Sequence, residues 1–152
     1  MSASAIELIS AALLTRGACR ALEQLGYASL VEFPLANGRR ADILALGKRG
    51  ELVIVEVKSS VADFRADRKW IAYREFSDRL YFAVANEFPR LLIPDECGLM
   101  VADSFTADVL RDGSTTRLDA ARRRALTRRF ARIAATRLRR LLDPDAERLG
   151  GM

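Results

Sequence analysis

The chain has 152 residues, half of them hydrophobic and 30% charged, and carries a formal net charge of +5; that is one domain's worth of sequence, with enough apolar content to bury a core. It contains no histidine, which excludes Ser-His-Asp and Cys-His triads, His-based zinc sites and water activation by an imidazole. It also lacks Walker-type and dinucleotide-type glycine loops, so any chemistry must come from carboxylates, lysine, hydroxyls or a hard metal held by oxygen ligands.

Residues 4–25 place Ile6, Ile9, Leu13, Leu14, Ala18, Ala21, Leu22 and Leu25 at helical spacing, and Gly26 supplies a C-terminal stop. No basic residue precedes this segment and Glu7 lies inside it, so it reads as a helix and not as a signal peptide. Residues 27–35 read as a strand ending at Pro34 and the Asn37-Gly38 turn signal. Two further strands, 40–46 and 52–59, are joined by Gly47-Lys48-Arg49-Gly50 and form a hairpin.

Residues 63–77 start polar and then carry Phe64, Trp70, Ile71, Tyr73 and Phe76, the pattern of a second amphipathic helix. The run 79–85 is too apolar for a half-exposed strand and reads as a central, buried one. Pro89 and Pro94 bracket a connector, 99–103 is another strand, and 107–111 a weaker one. From 118 to 142 Pro and Gly are absent, while Leu118, Leu126, Phe130, Ile133, Leu138, Leu141 and Leu142 repeat helically. The order αβββαβ, then β, then α, predicts one α/β domain with a mixed sheet.

Charge divides the chain unevenly. From Arg117 onward there are 11 arginines against 4 acids, whereas residues 1–116 hold 14 basic and 16 acidic residues. The expected organisation is a core over 1–116 and an arginine-rich C-terminal helix over 117–152, packed on or extending the same domain. A near-neutral body with a basic tail points to a polyanion partner. Cys19 and Cys97 form no C-x-x-C pair and read as free thiols of a cytoplasmic protein. No apolar run approaches the roughly 20 residues of a membrane span, so no membrane partner is expected.

The hairpin is where the sequence becomes specific. With the turn centred between Lys48 and Arg49, Asp42 faces Glu56 to within one residue, and directly opposed side chains have Cβ atoms only about 4.5–5.5 Å apart. Lys58, two residues after Glu56, points to the same face. Ile43, Ala45, Val53, Val55 and Val57 make one face apolar, and Leu44, Leu46, Leu52 and Ile54 most of the other. Two carboxylates and an ammonium therefore converge on a strand pair covered from both sides. Opposed like charges are destabilising, and a divalent cation, Mg²⁺ or Mn²⁺, resolves that conflict. Held by Asp42 and Glu56, with the Val57 carbonyl as a further ligand, such an ion polarises a phosphodiester oxygen and acidifies a bound water. Lys58 then orients the water or stabilises charge developing on phosphorus. The alternative is a cross-strand salt bridge, with Lys58 neutralising one acid on an exposed edge.

Asp42, thirteen intervening residues and then Glu56-Val57-Lys58 resembles the D-x(n)-E-x-K signature of the PD-(D/E)XK nuclease superfamily. A longer set carries more: Gly38-Arg39-Arg40-Ala41-Asp42-Ile43, Ile54-Val55-Glu56-Val57-Lys58-Ser59-Ser60, Asp63-Phe64, Asp67-Arg68-Lys69-Trp70, Tyr73 and Tyr81-Phe82-Ala83-Val84. Across most of residues 16–105 it resembles the MmcB-type family of DNA repair endonucleases. The resemblance implies a restriction-endonuclease-like αβββαβ core with a mixed sheet and an added C-terminal helix, and metal-dependent cleavage of damaged or branched DNA. Relatives such as archaeal Holliday-junction resolvases carry a further acid early in the first helix, where this chain reads Thr15-Arg16-Gly17-Ala18. Glu32 on the first strand is a candidate third carboxylate, or else a solvent-exposed strand acid.

Around the site, Lys69 and Tyr73 share a helix face and are candidates for phosphate and base or sugar contact; the competing reading is a solvated lysine beside a packed tyrosine. Trp70 either stacks on a nucleobase or belongs to the core. Ser59 and Ser60 either touch a phosphate or cap the turn. In the C-terminal helix, Arg122, Arg123, Arg128, Arg129 and Arg132 read as a non-specific phosphate-binding surface, or as the solvated side of a helix packed on the sheet or on a partner subunit. DNA is thus the expected partner, beside a homodimer or repair-complex contact through the apolar stripe. The rival to a nuclease is a non-catalytic nucleic-acid-binding subunit of a repair complex with the same fold.

Overall fold

The computed structural model describes the backbone of residues 3–66 and 70–146 and the side chains of residues 11–66 and 70–146. The chain forms two compact units, Met1–Leu118 and Asp119–Met152. The first opens with helix α1 (Ala3–Gln24). Its end is built by Gly26, at φ 93°: the Gly26 N–H bonds the Glu23 carbonyl at 3.0 Å and the Tyr27 N–H reaches back to the Leu22 carbonyl at 2.9 Å. This paired closure satisfies carbonyls that the helix leaves open, and it turns the chain into the sheet.

Six strands follow: β1 (Ala28–Pro34), β2 (Arg40–Leu46), β3 (Leu52–Lys58), β4 (Arg79–Val84), β5 (Gly98–Ala102) and β6 (Ala107–Arg111). They lie side by side in sequence order. The pairs β3–β4 and β4–β5 are parallel and the others antiparallel, so the mixed sheet expected from the sequence is present. The β2–β3 hairpin closes through Gly47 and Gly50, whose N–H groups bond the Glu51 and Gly47 carbonyls. Its register runs from Leu46↔Leu52 to Ile43↔Val55, which sets Asp42 opposite Glu56 one step further on.

Every residue of β3 is buried, because the sheet is covered on both sides. On one face Leu14, Ala18 and Leu22 of α1 share a core with Ile43, Val53, Val55, Tyr81 and Met100. A Cβ at Gly17 would run into the carbonyl oxygens of Asp103 and Thr106, so glycine there lets α1 approach the turn between β5 and β6. On the other face Phe82 meets Phe64 edge-on at 5.3 Å and Trp70 at 6.1 Å between ring centroids.

Within the stretch expected as one helix over 63–77, the described residues are helical on both sides of 67–69, as helix α2 (Val61–Ala66) and helix α3 (Trp70–Tyr73), and a 3-10 turn over Arg74–Phe76 follows; residues 67–69 lie outside the described residues. In the second unit helix α4 (Ala120–Leu142) starts at Asp119, whose carboxylate accepts the Arg122 N–H at 2.8 Å, and ends with Arg139 and Arg140 in its last turn. An acidic cap at one end and cations at the other suit the helix dipole.

One polar residue the sequence does not flag fastens the first unit. Asp78, 6% exposed, accepts the Leu52 N–H at 2.8 Å through one carboxylate oxygen and the Leu118 N–H at 2.9 Å through the other. Its main chain also bonds the Leu52 carbonyl and the Thr116 N–H. Asp78→Ala would strand buried backbone donors, and is expected to lower the unfolding free energy by roughly 2–4 kcal/mol, read as a lower midpoint in urea denaturation.

Candidate active site

The polar cluster lies where β2 begins and β3 ends, at the carboxyl ends of the parallel strands, the usual position for a site in an open α/β sheet. Asp42 is half-buried, while Glu56 and Lys58 are 3% and 5% exposed. The two carboxylates are laced into the hairpin. The Asp42 N–H donates to Glu56 Oε1 at 3.1 Å, and the Val57 N–H donates to Asp42 Oδ2 at 2.8 Å. Each acid thus accepts a backbone N–H from the neighbouring strand, which fixes its position more tightly than side-chain packing alone.

This arrangement is electrostatically unsettled. Burial, then the charge of Asp42 and a hydrogen bond between the two carboxyl groups, push the Glu56 carboxyl up to about 9. The Asp42 N–H and the Lys58 ammonium pull in the opposite direction and do not prevail. Without a further cation the pair holds a proton at neutral pH. The exposed edge assumed in the alternative reading of Lys58 is therefore corrected. Lys58 sits on a central strand with almost no exposure, because β4 covers the side of β3 that a hairpin alone would leave open.

A divalent cation suits this donor set on chemical grounds, since hard carboxylate oxygens that share a proton can share a metal instead. Among the described residues no group of three or more His, Cys, Asp or Glu gathers to hold one. Glu32 stands opposite Asp42 in the β1–β2 register, between the pairs Val31↔Ile43 and Phe33↔Ala41. It is exposed, and at φ 47° it is the one non-glycine residue with positive φ among the described residues. The Val57 side chain belongs to the core beneath α1, and its N–H is the one that Asp42 accepts.

The flanking residues divide. Tyr73 is 4% exposed and its hydroxyl donates to the Arg40 carbonyl at 3.0 Å, which corrects the expectation of a DNA contact: the ring is buried and leaves no surface to offer a base or sugar. Lys69 lies outside the described residues. Trp70 is half-buried and meets Phe82 edge-on, and Ser60 Oγ accepts the Asp63 N–H at 3.0 Å as a cap. In the second unit Arg128 and Arg132 are exposed and Arg122, Arg123 and Arg129 half-exposed on α4; Arg124, Arg128 and Arg132 follow one another at four-residue spacing and make a continuous basic stripe. Leu138, Leu141 and Leu142, part of the expected apolar stripe, are exposed. Both cysteines are free, and burial holds the Cys97 thiol up at about 11. No described helix is long and apolar enough to cross a membrane. Residue types and spacing alone did not reveal the exchange of backbone N–H groups between the acids, or the bond from Tyr73 to Arg40.

Comparison with known proteins adds a family. The family described as DNA repair protein MmcB-like matches residues 4–145. A solved structure described as the SPO1766 protein of unknown function from Silicibacter pomeroyi is 44% identical, with a TM-score of 0.87 over 90% of this chain and 94% of that one. No curated protein matches the chain.

The state of the acid pair has a measurable signature. Glu56 starts from an ordinary value of 4.5 and rises to about 9 in the folded protein, so folding takes up a proton between these limits and stability falls as pH rises through them. Calorimetry in EDTA should show the melting temperature of the wild type falling from pH 5 to pH 9, at about 2–4 °C for each ~1 kcal/mol lost. Glu56→Gln should flatten that slope. Mg²⁺ or Mn²⁺ should raise the wild-type melting temperature at pH 8 and leave that of the variant unchanged.

Proposed function

The chain belongs to the MmcB-like family of DNA repair proteins, and on that premise we propose that it is a metal-dependent DNA endonuclease with a restriction-endonuclease-like core of the PD-(D/E)XK type. The observation that carries this reading is the Asp42–Glu56 pair, one acid half-buried and the other buried, each accepting a backbone N–H across the hairpin, with Lys58 two residues beyond. A protein seeking only stability gains little from two opposed carboxylates in a covered sheet; a protein that binds a cation against a phosphodiester needs them.

Asp42, Glu56 and the Val57 carbonyl would hold Mg²⁺ or Mn²⁺, with Glu32 as the further acid closest in register. The chemistry that such an ion supplies when bound is polarisation of a phosphodiester oxygen and acidification of a water. The backbone N–H groups on the two acids keep their carboxylates in place as charge changes around them. Lys58, buried and cationic, orients the attacking water or offsets charge that develops on phosphorus. The arginines of α4, Arg122, Arg123, Arg128, Arg129 and Arg132 among them, hold the nucleic-acid backbone without reading sequence.

The second reading, a non-catalytic nucleic-acid-binding subunit of a repair complex, draws on one observation, the absence of a third gathered acid among the described residues. One experiment separates the two. Labelled single-stranded, duplex, flapped, four-way and damaged DNAs are incubated with Mg²⁺ or Mn²⁺ and wild type, Glu56→Ala or Lys58→Ala. The nuclease reading expects metal-dependent cutting of at least one substrate, reduced by about 10²-fold or more in both variants. No cutting by the wild type, with equal DNA binding by all three proteins, selects the binding subunit.

A further inference from the structure

We propose that Arg40 is a positioning residue that binds a backbone phosphate of the nucleic acid at the rim of the acid pair. This rests on the nuclease reading and adds to it a residue that neither the metal nor the attacking water requires.

Arg40 is the first residue of β2 and lies opposite Pro34 of β1. Strand alternation places it on the same sheet face as Asp42, while Ala41, Ile43 and Ala45 between and beyond them are fully buried. It stands one alternation from the acid pair, about 7 Å along the strand, and it is exposed. Its backbone is held from the same face, by the Tyr73 hydroxyl on its carbonyl at 3.0 Å.

The guanidinium stands open beside the acid pair. Four other arginines of this unit are occupied: Arg74 faces Glu96 at 3.4 Å, Arg79 donates to Thr115, Arg90 to Asn86, and Arg111 to the Cys97 and Pro94 carbonyls. Among the described residues no hydrogen bond or ion pair engages the Arg40 side chain, although two carboxyl groups lie nearby. An anchored backbone, an exposed cation and a shared face suit a ligand that brings its own oxygens. A guanidinium offers a planar fork that matches phosphate, and a cation at the mouth offsets the acids that would otherwise repel a polyanion.

The test is anisotropy of a short labelled duplex in EDTA, where no cutting occurs, across a NaCl series. Wild type is compared with Arg40→Gln, Arg40→Lys and, as a control in the hairpin turn at the far end of β2, Arg49→Gln. Arg40→Gln should weaken binding and reduce the slope of log affinity against log salt by about 0.9, one phosphate's worth. Arg40→Lys should keep the wild-type slope, Arg49→Gln should change nothing, and melting temperatures should match throughout. A wild-type slope and affinity in Arg40→Gln would overturn the role of Arg40 and leave the nuclease reading standing. Equal losses in Arg40→Gln and Arg49→Gln would overturn it too, as general loss of charge. Failure of every protein to retain DNA at the lowest salt would overturn both.

Discussion

Two carboxyl groups share the buried end of a hairpin, and much of the first unit serves to keep them there. Glu56 lies on a strand covered on both faces and flanked on both sides, so water cannot screen it from Asp42. The backbone answers with one N–H to each acid, and Lys58 answers with a charge. These measures hold the pair in place without neutralising it, and the Glu56 carboxyl remains far above its ordinary range. Carboxyl groups perturbed in this way cluster at functional sites.

Much of the frame was legible because strands and turns announce themselves locally. The hairpin's Gly47 and Gly50, the alternation along 40–46 and the apolar run at 79–84 locate β2, β3 and β4 to within a residue, and from the turn alone the facing of Asp42 and Glu56 follows. The stretch 63–77 was less readable, since helical spacing does not say that Phe64 and Trp70 meet Phe82 edge-on or that the stretch closes in a 3-10 turn over Arg74–Phe76. Tyr73 shows the same limit. Four-residue spacing from Lys69 says which side of a helix it occupies, but only the fold shows that this side carries its hydroxyl to the Arg40 carbonyl. Asp78 was invisible for a different reason: its partners are backbone groups far away in sequence, and main-chain N–H groups leave no trace in residue identity.

The family match and the 44% identical neighbour of unknown function span both the sheet and the C-terminal helix. The two parts differ sharply in character. One is nearly neutral and rigidly hydrogen-bonded around a small acidic centre; the other is a single helix whose exposed arginines run at regular spacing. On the proposed reading, grip and chemistry divide between these parts, because exposed arginines contribute affinity in small, separable portions whereas the acid pair acts as a unit.

The double role of Asp78 bears on where the chain can be shortened. One oxygen of its carboxylate holds the first amide of β3, and the other holds the amide of Leu118, the last residue of the first unit. Thr116 leans on the same residue through its own N–H. A fragment that stops before 116, the point where basic charge begins to dominate, would leave a buried carboxylate with part of its coordination missing, at the foot of the strand that carries Glu56 and Lys58. A fragment that stops just after Leu118 keeps those bonds. Residues 116–118 thus belong to the hydrogen-bonded frame of the sheet although they lie beyond its last strand.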